Sequence, residues 1–212
     1  MLKALHEVDT TILNQVAAEF GAPLYVYDSA RIQTQFERLT EAFKSVPRLK
    51  LNYAAKALSN ISILRLMKHL GSGLDTVSIQ EVRLGLLAGF APEDIIFTPN
   101  GVSLGELEEA AALGVQINID NLSVLEQFGS SHPHVPVCIR INPHVMAGGH
   151  SNISVGHIDS KFGISIHQIP HLLRIVELTG MKINGIHMHT GSDILDIGVF
   201  LYASEILFET EK

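Results

Sequence analysis

The order of the predicted elements constrains the fold of this chain more than any other feature. Short runs rich in β-branched residues alternate with longer segments of helical period, and strand ends recur about every 20 residues over the first five units. Strict alternation of strand and helix favours a parallel sheet with right-handed crossovers. The predicted strands are LKLNYAAKA, GLDTVS, DIIFTPNG, VQINIDN, VPVCIRINP and KINGIHMHTGS.

Residues that commonly cap helices stand where the intervening helices are predicted to begin. Ser59 or Asn60 precedes ISILRLMKHL, and Ser78 precedes IQEVRLGLLAGF. Ser103 and Glu106 have the spacing of a capping box at the start of the next helix. These caps support the helical assignment, and they place each helix directly after a strand.

Two architectures fit this alternation, an open doubly wound sheet and a (β/α)8 barrel. No G-x-G-x-x-G loop follows the first strand, which weakens the dinucleotide-binding form of the open sheet. Polar residues follow every strand, as in barrel enzymes. We therefore predict an α/β fold of the TIM-barrel type with about six strand–helix units, a long polar loop at residues 143–163 and a last helix in ILDIGVFLYASEILFETEK. Because the barrel needs eight units, we expect the chain to be part of a longer protein whose C-terminal strands follow residue 212.

Composition excludes several classes of function. The net charge of −7 disfavours nucleic acid and anionic membranes as partners. No apolar run approaches the roughly 18 residues of a membrane span, and the N-terminus lacks a signal-peptide core. Cys138 is the only cysteine, and its place in a strand-like run favours a packed side chain over a nucleophile. We expect a cytoplasmic protein.

Polar side chains end each predicted strand, where a parallel barrel places its active site. Side chains two residues apart on a strand share a face, so Arg140 and Asn142 point together, as do His187 and His189. The residues at these ends are Lys56, Asp75, Ser78, Thr98, Asn100, Asp120, Arg140, Asn142, His187 and His189. Each also has a structural interpretation: Lys56 at the solvent rim, Asp75 as a helix cap, Arg140 in an ion pair, and the histidines as hydrogen-bonded core residues.

A lysine among small and apolar residues, in YAAKALSN, points to amine chemistry. A water-shielded amine is neutral more readily than an exposed one, and a neutral amine forms Schiff bases with aldehydes. An aromatic aldehyde cofactor needs a carboxylate for its ring nitrogen, a flat partner for its ring and donors for its phosphate. Asp75, a histidine of the sixth strand and the turn Thr190-Gly191-Ser192 can supply these groups, which together match pyridoxal phosphate.

Motifs along most of the chain strengthen this interpretation. The sequence resembles the barrel of the pyridoxal-phosphate-dependent amino-acid decarboxylases with an alanine-racemase-like fold, and within them the diaminopimelate decarboxylases. ISVGHIDSKFG and HMHTGS are the most specific motifs. The others are FGAPLYVYD (Phe20 to Asp28), which looks like the family's opening strand, YAAKALSN, GLDTVSIQE, IIFTPNGVS, INIDNLSVLE and IRINPHV.

The resemblance implies a role for each site residue. Lys56 would form the Schiff base with pyridoxal phosphate and later transfer a proton, and His189 would stack on the cofactor ring. His187 would support His189, and Ser192 would bind the phosphate. Asp75 and Arg140 would lie near the cofactor, with the acid for the ring nitrogen beyond the chain, which revises the role given to Asp75 above.

The resemblance also implies an organisation and a reaction. Residues 1–28 would be an N-terminal segment, a helix and a strand, leading into an incomplete barrel at 29–212. The loop of His150 to Lys161 would border the substrate entrance. The full-length protein would be a homodimer with shared active sites and a β-domain, and it would decarboxylate meso-diaminopimelate to L-lysine, the last step of lysine biosynthesis. The 212-residue chain alone would be inactive.

Three alternatives remain open at this point. The substrate could instead be carboxynorspermidine, arginine or ornithine. The chain could be a non-catalytic pyridoxal-phosphate-binding protein made of a single barrel. Finally, His187 and His189 could bind a metal ion, although no convincing carboxylate ligands accompany them and we predict no metal site.

Overall fold

The computed structural model describes residues 9–145, 162–191 and 194–210 of the chain. Its strands are β1 (Asn52–Ala54), β2 (Gly73–Thr76), β3 (Ile95–Phe97), β4 (Gln116–Ile119), β5 (Val137–Asn142), β6 (Ile164–Ser165) and β7 (Ile183–Met188). Its helices are α1 (Thr10–Phe20), α2 (Ser29–Ala42), α3 (Ile61–His69), α4 (Ile79–Ala88), α5 (Leu104–Leu113), α6 (Leu122–Ser131), α7 (Ile169–Thr179) and α8 (Ile197–Thr210). Within these residues, no helix has the length and apolar character that crossing a membrane requires.

All strands pair in parallel, and the chain forms part of a (β/α)8 barrel. β1 to β5 are neighbours in chain order, and β7 pairs with β5 along its length. The six predicted strands are thereby confirmed. β6 was not predicted: it directly follows the predicted loop at residues 143–163 and pairs only with the end of β5, at Ile141 and Asn142.

The predicted helix caps are present and explain where the helices begin. The Asn60 side chain accepts a hydrogen bond from the backbone N–H of Ser62, so Asn60 rather than Ser59 caps α3. Ser78 accepts from the N–H of Glu81 at the start of α4. Ser103 and Glu106 form the complete capping box of α5. Because each cap follows a strand closely, the strand ends stay near one rim of the barrel.

The predicted strand at residues 20–28 is wrong. α1 reaches Phe20, and residues 21–28 carry neither strand nor helix before Asp28 caps α2. Alternating apolar residues favour a strand only where a neighbouring strand takes up the backbone hydrogen bonds, and none of the described strands pairs with this segment. The side chain of Tyr25 is accordingly 90% exposed.

The two faces of the sheet differ in chemistry. On the outer face the helices cover fully buried Leu74, Ile95, Phe97 and Ile117, which belong to the hydrophobic core. The alternate positions face the barrel interior and are largely polar, as at Asp75 and Asn118. The outer face therefore stabilises the arc, whereas the inner face is available for a site.

Gly85 is expected to be required where α4 lies against the sheet. A Cβ at this position would lie 2.5 Å from Leu74 Cδ2 and 3.2 Å from Ile95 Cδ1. We expect Gly85→Ala to lower the free energy of unfolding by about 1–3 kcal/mol through overpacking, despite the better helix propensity of alanine. Urea unfolding monitored by circular dichroism measures the change. Gly105→Ala in α5 is the control, because the nearest atom would be 4.0 Å away, and an equal loss there would contradict the packing argument.

Candidate active site

The polar inner face ends in a cluster at the carboxyl ends of the strands. Parallel register places Ala54 beside Asp75, and Arg140 beside His187. Lys56 stands in the short turn Ala55–Ala57 directly after β1. The structure thus brings together the predicted residues of β1, β2, β5 and β7 at one rim. Ser192 and the loop of His150 to Lys161 lie outside the described residues, so their predicted roles stay predictions.

A hydrogen-bonded chain joins β2, β3 and β4 across the interior. The Thr98 hydroxyl donates to Asp75 Oδ1 at 2.8 Å, and Asn118 Nδ2 donates to Thr98 Oγ1 at 2.9 Å. Asn118 was not singled out from the sequence, although an asparagine inside an otherwise apolar strand was a usable signal. Nearby, Asn100 Nδ2 donates to Asp120 Oδ2 at 2.7 Å. Both carboxylates are therefore held by side chains of the segment that follows β3.

Opposed influences act on the carboxyl group of Asp75. Burial raises its pKa above the ordinary value, and the hydrogen bond from Thr98 and the positive charges of Lys56 and Arg140 offset this rise only in part. The sequence predicted that Lys56 is shielded from water. This prediction is wrong, since Lys56 is exposed in the described part of the structure. The turn carries it past the end of β1 to the open rim. Its charge nevertheless reaches Asp75 and His189, which fixes the amine at the cluster.

Arg140 is buried at the centre of the cluster. Burial lowers the pKa of its guanidinium, while the carboxylates of Asp120 and Asp75 raise it. The Phe162 ring centroid lies 4.9 Å from Arg140 Cζ, so the ring face covers the cation. The sequence identified the loop that contains Phe162 but assigned this residue no role. Asn142, on the same strand face, accepts a hydrogen bond from the N–H of His144 at 3.0 Å.

The surroundings of His187, on β7, and of His189, which directly follows β7, favour the neutral imidazole. Burial first, and then the charges of Arg140 and His189, lower the pKa of His187 to about 4. Burial, Arg140 and Lys56 also lower the pKa of His189. His187 Nδ1 is buried and has no hydrogen-bond partner among the described residues. A buried nitrogen of this kind is costly unless a ligand or water satisfies it.

The lowered pKa of His187 can be tested through the pH dependence of stability in the cofactor-free protein. A histidine whose folded pKa lies near 4 stabilises the fold above its ordinary pKa of 6.5, and this contribution is lost as the pH falls from 6.5 toward 4. We expect the free energy of unfolding to fall between pH 7 and pH 5, with about 2 kcal/mol of the fall due to His187. His187→Gln should remove that part in urea titrations. His171→Gln, on the exposed side of α7, is the matched control, and the same loss of pH dependence there would contradict the assignment to His187.

A barrel arc with an amine, a carboxylate, a guanidinium and two neutral imidazoles at its strand ends defines the cofactor-binding domain of a barrel enzyme. The family described as "Pyridoxal-dependent decarboxylase, pyridoxal binding domain" matches residues 29–210. The chain belongs to this family.

Named relatives agree with the family match. The chain is 39% identical over 197 residues to a diaminopimelate decarboxylase of Methanothermobacter thermautotrophicus, which covers 92% of this chain and 46% of the relative. It is 34% identical over 202 residues to the diaminopimelate decarboxylase of Escherichia coli K12, covering 92% and 47%. The chain therefore spans about half the length of the curated relatives it matches.

Solved structures resemble the fold closely. Diaminopimelate decarboxylase from Helicobacter pylori, in complex with L-lysine, superposes with a TM-score of 0.83 at 33% identity, covering 94% of this chain and 52% of that one. The enzyme from M. jannaschii, also with L-lysine, gives a TM-score of 0.80 at 28% identity, covering 92% and 48%. A lysine/ornithine decarboxylase from Vibrio vulnificus gives 0.81 at 23% identity, covering 98% and 52%, which supports the fold alone.

The cofactor of this family is pyridoxal phosphate, and the described residues fit it. The cluster presents a primary amine for an aldehyde, flat neutral rings for an aromatic ring, and an unpartnered buried nitrogen at His187. Cationic Arg140 and Lys56 suit an anionic ligand. Buried Thr190 and then Gly191, whose φ is 140°, follow His189 in the chain and precede Ser192, the predicted phosphate contact.

Proposed function

We propose that this chain is the cofactor-binding barrel of a diaminopimelate decarboxylase, which converts meso-diaminopimelate to L-lysine and carbon dioxide. The observation that carries the proposal is the 39% identity to a diaminopimelate decarboxylase over 92% of the chain. Two structural relatives are complexes with L-lysine, the product of this reaction. A lysine/ornithine decarboxylase and an arginine decarboxylase match at 23% and 22% identity, which supports a shared fold and carries no argument for their substrates.

In this reaction the substrate loses one carboxylate as carbon dioxide and takes up one proton at the same carbon. Pyridoxal phosphate, when bound, supplies an electrophilic carbonyl carbon and a conjugated ring that accepts the electron pair. Lys56 Nζ would attach the cofactor and would afterwards carry the proton to the substrate. Its exposed position at the rim suits this exchange, because substrate must reach the same nitrogen.

The remaining residues of the cluster would bind and orient the cofactor. His189 offers a flat neutral ring to the cofactor, and neutral His187 lies beside it on the same strand face. Arg140, covered by Phe162 and balanced by Asp75 and Asp120, supplies a fixed positive charge. Ser192, which follows Thr190 and Gly191 in the sequence, would bind the phosphate. The carboxyl group of Asp75 interacts with the positive charges of Lys56 and Arg140.

We further propose that the full-length protein acts as a cytoplasmic homodimer with shared active sites. The proposal rests on the family resemblance and on the relatives' length, of which this chain spans about half. The 212-residue chain alone should therefore lack turnover. Sedimentation of the full-length protein tests the dimer, and a monomer with full activity would contradict it.

The decisive assay supplies the full-length protein with pyridoxal phosphate and compares substrates. Meso-diaminopimelate should yield L-lysine and carbon dioxide in equal amounts, with kcat/KM at least about a hundredfold above that for ornithine, arginine or carboxynorspermidine. Turnover of one of these three in preference to diaminopimelate would overturn the substrate assignment. Cofactor binding without any turnover would favour a non-catalytic protein.

A further inference from the structure

The chain of hydrogen bonds from β4 to β2 has a fixed direction. Asn118 Nδ2 carries two hydrogens and cannot accept, so Thr98 Oγ1 must accept from it. The Thr98 hydroxyl has one hydrogen, which is directed to Asp75 Oδ1. Asp75 is then the acceptor at the end of the chain. An ionised carboxylate is the form that accepts from every neighbour.

The direction of these hydrogen bonds matters because the side chains of Thr98 and Asn118 are shielded from water. Thr98 is 8% exposed and Asn118 is 3% exposed, so water has little access to either polar group. Thr98 is thus the side chain that delivers a hydrogen bond to Asp75 from inside the barrel. Without it, the half-buried carboxyl group would lose the hydrogen bond that it receives from this side chain.

Charged groups from the surrounding strands face the same carboxyl group. Lys56 approaches from the turn after β1, and Arg140 from β5. Arg140 also faces three further titratable groups: Asp120, which follows β4, His187 of β7, and His189, which follows β7. Burial raises the pKa of Asp75, and the hydrogen bond from Thr98 is the largest influence that lowers it. Removing one donor should therefore alter the charge balance of the whole cluster.

We propose that Thr98 and Asn118 are positioning residues that keep Asp75 an ionised acceptor facing Lys56 and Arg140. Asn118 sets the direction of the Thr98 hydroxyl, and Thr98 holds the carboxylate. Neither residue needs to touch substrate or cofactor. The inference deepens the proposed function, and it rests on that function only for its catalytic consequence.

Titration of Asp75 in the cofactor-free, full-length protein tests the proposal directly. Aspartate labelled with 13C at the side-chain carboxyl group is followed by NMR, and Asp75→Asn identifies the resonance. Thr98→Val removes the hydroxyl with little change of shape and should raise the Asp75 pKa by roughly one pH unit relative to the parent. Thr98→Ser should restore the parental value, which a merely structural effect would not require.

A matched control separates this effect from the loss of any buried hydroxyl. Thr76, the residue after Asp75, is fully buried. Its hydroxyl donates to the backbone carbonyl of Ile96 at 2.9 Å and not to Asp75. Thr76→Val should lower stability but leave the Asp75 titration unchanged. Asn118→Leu, which adds no charge, should raise the Asp75 pKa by less than Thr98→Val does, because the hydroxyl remains but its direction is free. Asn118→Leu also tests the proposal if Thr98→Val fails to fold.

The outcomes of this titration do not depend on the decarboxylase assignment. An Asp75 titration that is unchanged in Thr98→Val, or in Asn118→Leu if the former does not fold, would overturn the positioning role and leave the proposed function intact. In the loaded protein, the same variants should shift the acidic limb of the kcat/KM profile upward with the Asp75 pKa. A lower kcat/KM with an unshifted profile would assign Thr98 to packing alone and would also overturn the proposal.

Discussion

Replacing Lys56 with alanine in the full-length protein is expected to lower kcat on meso-diaminopimelate by at least about a thousandfold and to abolish covalent attachment of the cofactor. Lys56 is the amine that the structure places at the cluster, where its charge acts on Asp75 and His189. Arginine keeps the charge but remains protonated and cannot act as the amine nucleophile. Lys56→Arg should therefore be as inactive as Lys56→Ala, which separates attachment from electrostatics.

Borohydride reduction followed by peptide mass analysis measures the attachment. The parent protein should carry the reduced cofactor on the peptide that contains Lys56, with no label in either variant. Lys68→Ala is the control, because Lys68 is an exposed lysine of α3 and should leave both attachment and turnover unchanged. Labelling at another lysine in the parent, or full turnover by Lys56→Ala, would remove the basis for the site.

The local elements were predictable because their causes are local. β-branched runs and period-two patterns mark the six main strands, and side-chain caps such as Ser78 and Ser103 mark the helices between them. β6 escaped detection because it has two residues and depends on a close approach between its segment and β5. A Cβ on Gly163 would lie 2.8 Å from the carbonyl carbon of Ile141, so the glycine lets the segment reach β5.

The contacts between strands could not be predicted from the sequence. The period of two placed His187 and His189 on one face, but the hydrogen bond from Thr98 to Asp75 depends on the register between β2 and β3. The error at residues 20–28 has the same origin, since a strand needs a neighbour that its own sequence cannot specify. The cover of Arg140 by Phe162 likewise depends on where the chain returns to the sheet after its loop.

Phe97→Ala is expected to have the largest effect on stability. Phe97 is 0% exposed in the hydrophobic core on the outer face of β3, and it pairs in register with Thr76. Truncation leaves a cavity beneath the helices, so we expect the free energy of unfolding to fall by about 3–5 kcal/mol in urea titrations. The next residue is Thr98, so the loss should also loosen the carboxylate that Thr98 holds and weaken cofactor binding.

Leu87→Ala is the matched control for this core substitution. Leu87 is 68% exposed on α4, so its truncation should change stability by less than about 0.5 kcal/mol. Comparing Phe97→Ala with Thr98→Val then separates two contributions of β3 to the site. Phe97→Ala should lower stability and cofactor affinity together, whereas Thr98→Val should mainly shift the Asp75 titration. A Phe97→Ala protein as stable as Leu87→Ala would mean that the outer face of β3 does not hold the inner face in place.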